Sequence, residues 1–241
     1  MKTLLITGST SAIGMAVCKA LAERGAELVL HYHANQEKAE RLAEWLDTKG
    51  CAYSFYQADL TRPENAKALI EHALERFGRI DGLINVVGPY VYKNILEVTP
   101  EDWLADIDLN LNCCFHTSYY ALDALRNSQG QIVNFAFAGV ENIKAWPMSA
   151  GYSAAKTGVA ALTKSLAVAL AQDKVRVNAI CPGLTEDEDI NAEERQAMAA
   201  QIPYGRPVQP HEIGTTVAWL LYDSPEMITG SLLSVAGGWE Y

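Results

Sequence analysis

The fold is decided by a segment near the N-terminus, Lys2-Thr-Leu-Leu-Ile-Thr-Gly-Ser-Thr-Ser-Ala-Ile-Gly14. A short apolar run ends at Gly8, and residues 12–24 then show helical spacing of apolar side chains. This is the pattern of a strand, a glycine turn and a helix. Backbone N–H groups and a helix start converge in such a unit, so the turn is a candidate cradle for a pyrophosphate.

Strand-like runs alternate with amphipathic helical stretches as far as residue 180. This alternation predicts parallel strands joined by right-handed crossovers, with helices on both faces. We therefore expect one α/β domain over residues 1–241, a Rossmann-type doubly wound parallel sheet in three αβα layers. The predicted strands are 2–7, 27–32, 52–57, 80–87, 131–137, 175–180 and 231–235, and the predicted helices are 12–24, 36–48, 63–77, 100–125, 152–171 and 211–222.

The composition is that of a globular protein, with 49% hydrophobic and 20% charged residues in 241. Acids outnumber bases 29 to 19, and the resulting net charge of −10 repels phosphate backbones and anionic lipid surfaces. Nucleic acid and membrane are therefore not expected as partners. The start at Met1 leads directly into a strand with no signal peptide, which predicts a cytoplasmic protein. The five cysteines form no Cys-x-x-Cys pair and are expected to be reduced, buried thiols.

The alternation stops at Cys181-Pro-Gly-Leu-Thr185, and residues 186–206 are polar and acidic. This insertion is too long for a plain connection, so we expect a substrate lid over residues 184–208. Six acids lie between Glu186 and Glu194. If they border the site, they would repel anionic acyl-carrier protein and coenzyme A, and otherwise they form a solvated face.

The glycine turn, in which Gly8 and Gly14 are separated by five residues, resembles the T-G-x-x-x-G-x-G signature of the short-chain dehydrogenase/reductase family. Further segments resemble other signatures of this family in the same order along the whole chain. They are Asp59-Leu60, Asn85-Val-Val-Gly88, Asn110, Tyr152-Ser-Ala-Ala-Lys156 and Asn178-Ala-Ile-Cys-Pro-Gly183. The resemblance implies an NAD(P)-dependent oxidoreductase acting on CH–OH or C=O groups.

The expected catalytic residues are Asn110, Tyr152 and Lys156. Tyr152 and Lys156 are four residues apart at the predicted start of a helix, so both project from one face. A nearby ammonium stabilises a phenolate, so we expect Lys156 to lower the pKa of Tyr152 and make it a proton donor and acceptor near neutral pH. The resemblance further implies that Lys156 holds the nicotinamide ribose and that Asn110 supports a water in a proton relay.

The resemblance also implies a catalytic serine just after the fifth strand. Counting 13 residues back from Tyr152 gives Gly139, whereas aligning the strand Ile132-Val-Asn-Phe gives Phe137, and neither carries a hydroxyl. The stand-in is left open among Glu141, Ser149, a water and nothing at all.

The cofactor is expected to be NADP(H) rather than NAD(H). An acid at the end of the second strand would bind the ribose 2′-OH of NAD, but here His31-Tyr-His-Ala-Asn35 brings no acid before Glu37. Lys38 is a further candidate for holding the 2′-phosphate. No third ligand accompanies His31 and His33 at suitable spacing, so no metal site is expected. The predicted cofactor-binding residues are Gly8, Ser9, Thr10, Ser11, Ile13, His33, Asn35, Asp59, Leu60, Asn85, Gly88, Tyr152, Lys156, Pro182, Gly183 and Thr185.

We therefore expect an NADPH-dependent reductase of a carbonyl or imine-like group in a small molecule. The alternatives are a 3-oxoacyl-thioester reductase and a catalytically weak NADP-binding protein used for sensing or assembly. Residues 89–92 and 146–148 offer aromatic and apolar surface, which suits a planar or hydrophobic ligand or ordinary packing. Surplus apolar residues in 109–125 and 159–170 predict a homo-oligomer, a dimer or a tetramer.

Overall fold

The computed structural model describes residues 1–187 and 190–239 and has a parallel sheet of seven strands in the order β3-β2-β1-β4-β5-β6-β7. The doubly wound α/β prediction is confirmed, because every neighbouring pair of strands is parallel. The strands are β1 (Thr3–Thr7), β2 (Glu27–Tyr32), β3 (Tyr53–Gln57), β4 (Gly82–Asn85), β5 (Gln131–Phe135), β6 (Arg176–Pro182) and β7 (Leu232–Val235).

Eight helices connect these strands within the described residues. They are α1 (Ala12–Ala22), α2 (Gln36–Thr48), α3 (Pro63–Phe77), α4 (Pro100–Ile107), α5 (Cys113–Ser128), α6 (Ala150–Ala169), α7 (Ala192–Gln201) and α8 (Pro210–Tyr222).

The sheet is buried on both faces, as expected for a central parallel sheet. Leu4 and Ile6 of β1 pack on one side with residues of α1 and α8. The intervening Leu5 packs on the other side with residues of α3, α5 and α6. This alternation along one strand produces the three layers.

Helix boundaries follow from local chemistry. Ser11 caps α1 by accepting a hydrogen bond from the Gly14 N–H at 3.0 Å. Thr99 and Asp102 form a reciprocal capping box at the start of α4, with a proline in its first turn. Gly78 ends α3 in the left-handed conformation, at φ +76°.

Several elements differ from the prediction. The helix expected over 100–125 is interrupted by a π-helical segment, Asp108–Asn112, before α5 continues to Ser128. The expected lid contains α7, which the sequence pattern missed because this helix buries none of its residues and so has no apolar stripe. Strands β4 and β5 are also shorter than predicted, since the chain leaves the sheet where it borders the site.

The five cysteines form no disulfide, and four of them are buried while Cys51 is half-buried. Among the described residues, no helix combines the length and the apolar character needed to cross a membrane.

Candidate active site

A cleft of about 1270 Å³ opens at the carboxyl ends of the strands. It lies next to β1, from which the strand order continues to β2 on one side and to β4 on the other. Open α/β sheets bind ligands at such a switch point. The cleft brings together most of the residues predicted to bind a cofactor. Those that line it are Gly8, Thr10, Ser11, Ile13, His33, Asn35, Asp59, Leu60, Gly88, Tyr152, Lys156, Pro182, Gly183 and Thr185.

The turn after β1 leaves its backbone open to a ligand. Gly8 has φ +66°, and a Cβ there would lie 3.2 Å from the Val87 N, so only glycine fits without strain. A Cβ on Gly14 would lie 2.1 Å from the Gly8 oxygen. The two glycines therefore let the turn and the start of α1 pack closely at the floor of the cleft.

Ser9, which was predicted to bind the cofactor, is not among the residues that line the cleft. Its side chain is fully buried, and its hydroxyl donates a hydrogen bond to the His31 carbonyl at 3.0 Å. The Ser9 N–H donates to the same carbonyl at 2.9 Å. Ser9 thus ties the turn to the end of β2.

His31 lines the cleft, and its ring contacts the backbone at both Gly8 and Ala58. The Gly8 N–H donates to the His31 Nδ1 at 3.3 Å, and the Nε2 lies 3.0 Å from the Ala58 carbonyl. This pair of contacts is satisfied by the neutral ring with its proton on Nε2. Burial lowers the pKa of His31 to about 4, which keeps the ring neutral. Within residues 1–187 and 190–239, no cluster of side chains could hold a metal ion.

The rim next to His31 carries His33, Asn35 and Lys38 at the start of α2. The Asn35 Oδ1 caps this helix by accepting from the Lys38 N–H at 3.0 Å. Glu37, the first acid after β2, forms an ion pair with Arg41 along the exposed side of α2. The helix start and the Lys38 side chain thus favour an anion at this rim.

Tyr152 lies in the cleft among other rings. Its ring makes an edge contact with Tyr90 at a centroid distance of 5.0 Å and lies 6.2 Å from the ring of Phe137. Burial raises the pKa of Tyr152 above its usual value. The expected lowering by Lys156 was wrong, because the Lys156 Nζ donates to the Phe135 carbonyl at 3.0 Å and burial of the phenol dominates. Tyr152 is therefore protonated at neutral pH.

Lys156 is also buried, with 3% of its surface exposed. Burial lowers its pKa to about 8, so the ammonium is still present at pH 7.

Asn110 lies behind the cleft on the π-helical segment. Its Nδ2 donates to the Pro89 carbonyl at 3.2 Å, while its buried Oδ1 has no hydrogen-bond partner in the described part of the chain. Gly88 separates this oxygen from the cleft, since a Cβ on Gly88 would lie 2.5 Å from both the Asn110 Oδ1 and the Lys156 Nζ. An unpartnered buried acceptor costs about 1–3 kcal/mol, so the arrangement favours a donor arriving with water or a ligand.

Asn85 does not line the cleft. Its amide donates to the Asn134 Oδ1 at 2.9 Å and accepts from the Thr117 hydroxyl at 2.8 Å. Asn134 in turn donates to Thr163 on α6 at 2.9 Å. Asn85 therefore connects β4 and β5 to the helices that carry Asn110 and Tyr152.

Comparisons with known proteins agree with this geometry. A family model described as enoyl-(acyl carrier protein) reductase matches residues 8–240. The 3beta-hydroxysteroid dehydrogenase 1 of Eggerthella lenta is 34% identical over 245 residues, covering 98% of this chain and 93% of that protein. The 3-oxoacyl-[acyl-carrier-protein] reductase of Staphylococcus aureus is 34% identical over 241 residues, covering 98% and 97%. The chain belongs to the short-chain dehydrogenase/reductase family.

A solved structure of an actinorhodin polyketide ketoreductase variant with NADPH is similar to this chain. It has a TM-score of 0.91 at 29% identity and covers 99% of this chain and 97% of that one. The protein is thus an NAD(P)-dependent oxidoreductase of this family.

Two positions, Phe137 and Gly139, were aligned with the family's serine. Phe137 lines the cleft, with its ring 5.5 Å from that of Trp146 and 6.2 Å from that of Tyr152. Gly139 lies in a turn at φ +81°. Among the proposed stand-ins, Glu141 is exposed and paired with Lys164 at 3.0 Å, so it does not face the cleft.

Ser149, another candidate to replace the family's serine, does line the cleft and is buried there.

The two segments expected to form pocket walls do border the cleft, mainly through Tyr90, Tyr92, Trp146 and Met148. The two walls are joined by backbone hydrogen bonds between residues 93–95 and 147–148. The Lys93 N–H donates to the Met148 carbonyl at 2.8 Å, and the Ile95 N–H to the Pro147 carbonyl at 2.7 Å. Sequence patterns did not identify Cys113, Met198, Gln201 and Trp239, which also line the cleft.

Of the four described acids in this run, Glu186 and Asp187 border the cleft, whereas Glu193 and Glu194 do not line it. Glu186 borders it but pairs with Arg195 of α7 at 2.5 Å and accepts a hydrogen bond from Gln209. Glu193 and Glu194 are exposed in the first turn of α7. Asp187 lines the cleft, whereas Glu188 and Asp189 lie outside the described residues. Half of the described acids therefore line the cleft, and one of these two is paired with an arginine.

Proposed function

We propose that the protein reduces a carbonyl or imine-like group of a small molecule with NADPH, and that Tyr152 is the proton donor. The observation that carries this proposal is a protonated tyrosine in the switch-point cleft, with Lys156 and the unpartnered Asn110 Oδ1 beside it. The bound nicotinamide cofactor would supply the hydride.

The chain's own residues have separate tasks in this proposal. Tyr152 donates its proton to the carbonyl oxygen as charge develops there, and its raised pKa favours reduction over alcohol oxidation, which needs the phenolate. Lys156 supplies a buried positive charge that holds a ribose hydroxyl pair. Asn110 accepts a hydrogen bond from a water that returns the proton to the site.

The preference for NADP(H) rests on the rim at α2. His33, Asn35 and Lys38 border the cleft, and the first acid after β2 is directed towards Arg41. The structural neighbour with NADPH supports the same preference. Lys38→Glu should lower kcat/KM for NADPH at least tenfold and leave kcat/KM for NADH nearly unchanged. Lys49→Glu, at the C-terminal end of α2, is the matched control and should change neither value. Equal effects on the two cofactors would contradict this assignment.

For the substrate we propose a neutral carbonyl compound with a flat or apolar body, since rings of Tyr90, Tyr92 and Trp146 line the cleft. We place the lid at residues 184–208, because Met198 and Gln201 of α7 border the same space. A 3-oxoacyl thioester is the second candidate, favoured by the paired state of Glu186 and by the likeness to the Staphylococcus aureus reductase.

The test is an NADPH-oxidation screen over five carbonyl or imine compounds: diacetyl, benzil, phenanthrenequinone, dihydrobiopterin and acetoacetyl-CoA. The proposal expects turnover that Tyr152→Phe reduces at least 100-fold while NADPH binding is kept. Tyr119→Phe, an exposed tyrosine on α5, is the control and should retain full activity. Tight NADPH binding without turnover of any compound would favour the weak binding protein instead.

We also propose that the chain forms a homo-oligomer through the α4–α5 side. Leu104, Phe115 and Tyr119 are exposed there, with Phe115 and Tyr119 stacked at 6.0 Å. Sedimentation of the wild type and of Phe115→Asp tests this, and a wild type that is monomeric at micromolar concentration would contradict it.

A further inference from the structure

We propose that Ser149 is a catalytic residue that donates a hydrogen bond to the carbonyl oxygen of the substrate, a task for which the neighbouring hydroxyls of Ser153 and Thr185 are not free. This inference rests on the proposed reductase function and assigns a residue to it. It locates the second hydroxyl of the site at the N-cap of the helix that carries Tyr152.

The loop after β5 offers no hydroxyl to the cleft. Phe137 fills the space beside Tyr152 and packs with Val140 and Trp146 in a small apolar cluster. Its ring leaves an apolar surface where a reacting carbonyl oxygen needs a donor. A developing alkoxide with only one donor is poorly stabilised, because two or more fixed donors usually share that charge.

Ser149 lies immediately before α6, three residues ahead of Tyr152. Ser149 is the N-cap of α6 and Tyr152 lies in its first turn, so both residues are at the same end of this helix. Both residues line the same cleft, and 94% of the Ser149 surface is buried, as only 6% is exposed. In the described residues, its side chain makes no capping hydrogen bond to α6, although serine commonly does so in this position. The hydroxyl is therefore available to a ligand.

Two aliphatic hydroxyls nearby are hydrogen-bonded to the backbone. The Ser153 Oγ donates to the Ala150 carbonyl at 3.1 Å, and the Thr185 Oγ1 donates to the Gly183 carbonyl at 3.0 Å. Both residues line the cleft, so their position alone does not exclude them. Their existing hydrogen bonds distinguish them from Ser149.

The Ser149 backbone is held in place from both sides. Its N–H donates to the Trp146 carbonyl at 3.2 Å, and its carbonyl accepts from the Ser153 N–H at 2.9 Å. The preceding residues are bound to the opposite wall through Met148 and Lys93. A donor fixed in this way loses little entropy when the substrate binds, which is the condition for stabilising a transition state.

In the reaction, Ser149 forms and breaks no covalent bond. Its Oγ–H donates to the carbonyl oxygen throughout, while the proton that ends on that oxygen comes from Tyr152. Loss of such a donor reduces kcat about 10²–10³-fold and affects KM much less, because the interaction strengthens as charge develops.

The test uses the full chain and the fastest of the five screening compounds. Ser149→Ala should lower kcat about 100-fold, with KM and the Kd for NADPH changed less than threefold. Ser149→Thr keeps the hydroxyl and should recover most of the rate, and Ser149→Cys should fall between the two. Ser153→Ala is the matched control, a cleft serine on the same helix, and should keep at least half of wild-type kcat.

Full activity of Ser149→Ala in a chain that Tyr152→Phe inactivates would overturn the role of Ser149 and leave the reductase proposal intact. A loss that appears in KM or in NADPH affinity, or that Ser153→Ala shares, would also overturn it. Absence of turnover with all five compounds would overturn both proposals. If Ser149→Ala does not fold, the kcat values of Ser149→Thr and Ser149→Cys are compared instead. A higher kcat for Ser149→Thr supports the role of Ser149, and equal values contradict it.

Discussion

Lys156 makes cofactor binding depend on pH in a range where few other groups titrate. Its ammonium is buried, its hydrogen-bond partner is the Phe135 carbonyl, and burial lowers its pKa to about 8. If NADPH binds only the charged form, the affinity is constant well below pH 8 and falls tenfold for each pH unit above it. At pH 9 we therefore expect NADPH to bind about tenfold more weakly than at pH 7, a loss of about 1.4 kcal/mol.

The assay is a fluorescence titration of NADPH between pH 7 and 9.5. Lys156→Met should bind more weakly at pH 7 and show no decline with pH. Lys164→Met, which removes a surface lysine paired with Glu141, should keep the wild-type profile. A wild-type affinity that is constant over this range, or the same decline in Lys156→Met, would refute the assignment of the pH dependence to Lys156.

Three further changes should have measurable effects on stability. The pKa of His31 is lowered from 6.5 to about 4, so the folded state opposes protonation, and the free energy of unfolding should fall by about 2 kcal/mol from pH 8 to pH 5 in urea melts. His31→Asn should remove that slope. Gly8→Ala should cost about 1–2 kcal/mol more than Gly25→Ala, since both glycines have positive φ but only Gly8 has a close neighbour. Lys156→Met should inactivate the enzyme yet raise the thermal midpoint at pH 7, because it removes a charge whose burial costs about 3 kcal/mol.

The layered fold was predictable because strands buried on both faces have a strong signature in the sequence. Runs such as 4–6 and 28–30 are apolar throughout, and the amphipathic helices between the strands have a different period. The π-helical segment 108–112 was not predictable in this way, since one extra residue per turn hardly disturbs a continuous apolar helix pattern. Helix α7 carries a sequence signal that was overlooked, the capping box formed by Asn191 and Glu194.

The positions of site residues were predictable where a sequence motif fixes the backbone. Properties that depend on tertiary contacts were less predictable. The order of motifs brings Gly8, Tyr152 and Lys156 to one cleft. The pKa of Tyr152 could not be read from its spacing to Lys156, because burial by rings distant in sequence determines it. The sequence likewise could not show that Ser149 lines the cleft and Glu141 does not, because this depends on the path of the loop after β5.

The hydrogen bonds between residues 93–95 and 147–148 join the two walls that carry Tyr90 and Trp146. We expect these bonds to hold the gap between the walls nearly constant, so that it accepts a body of limited thickness. The remaining side is bordered by α7, which buries no residue of its own and is tied down through Arg195 and Glu186. We therefore expect the enzyme to discriminate sharply between flat and bulky carbonyl compounds of equal length, and to accept wide variation in length among flat ones.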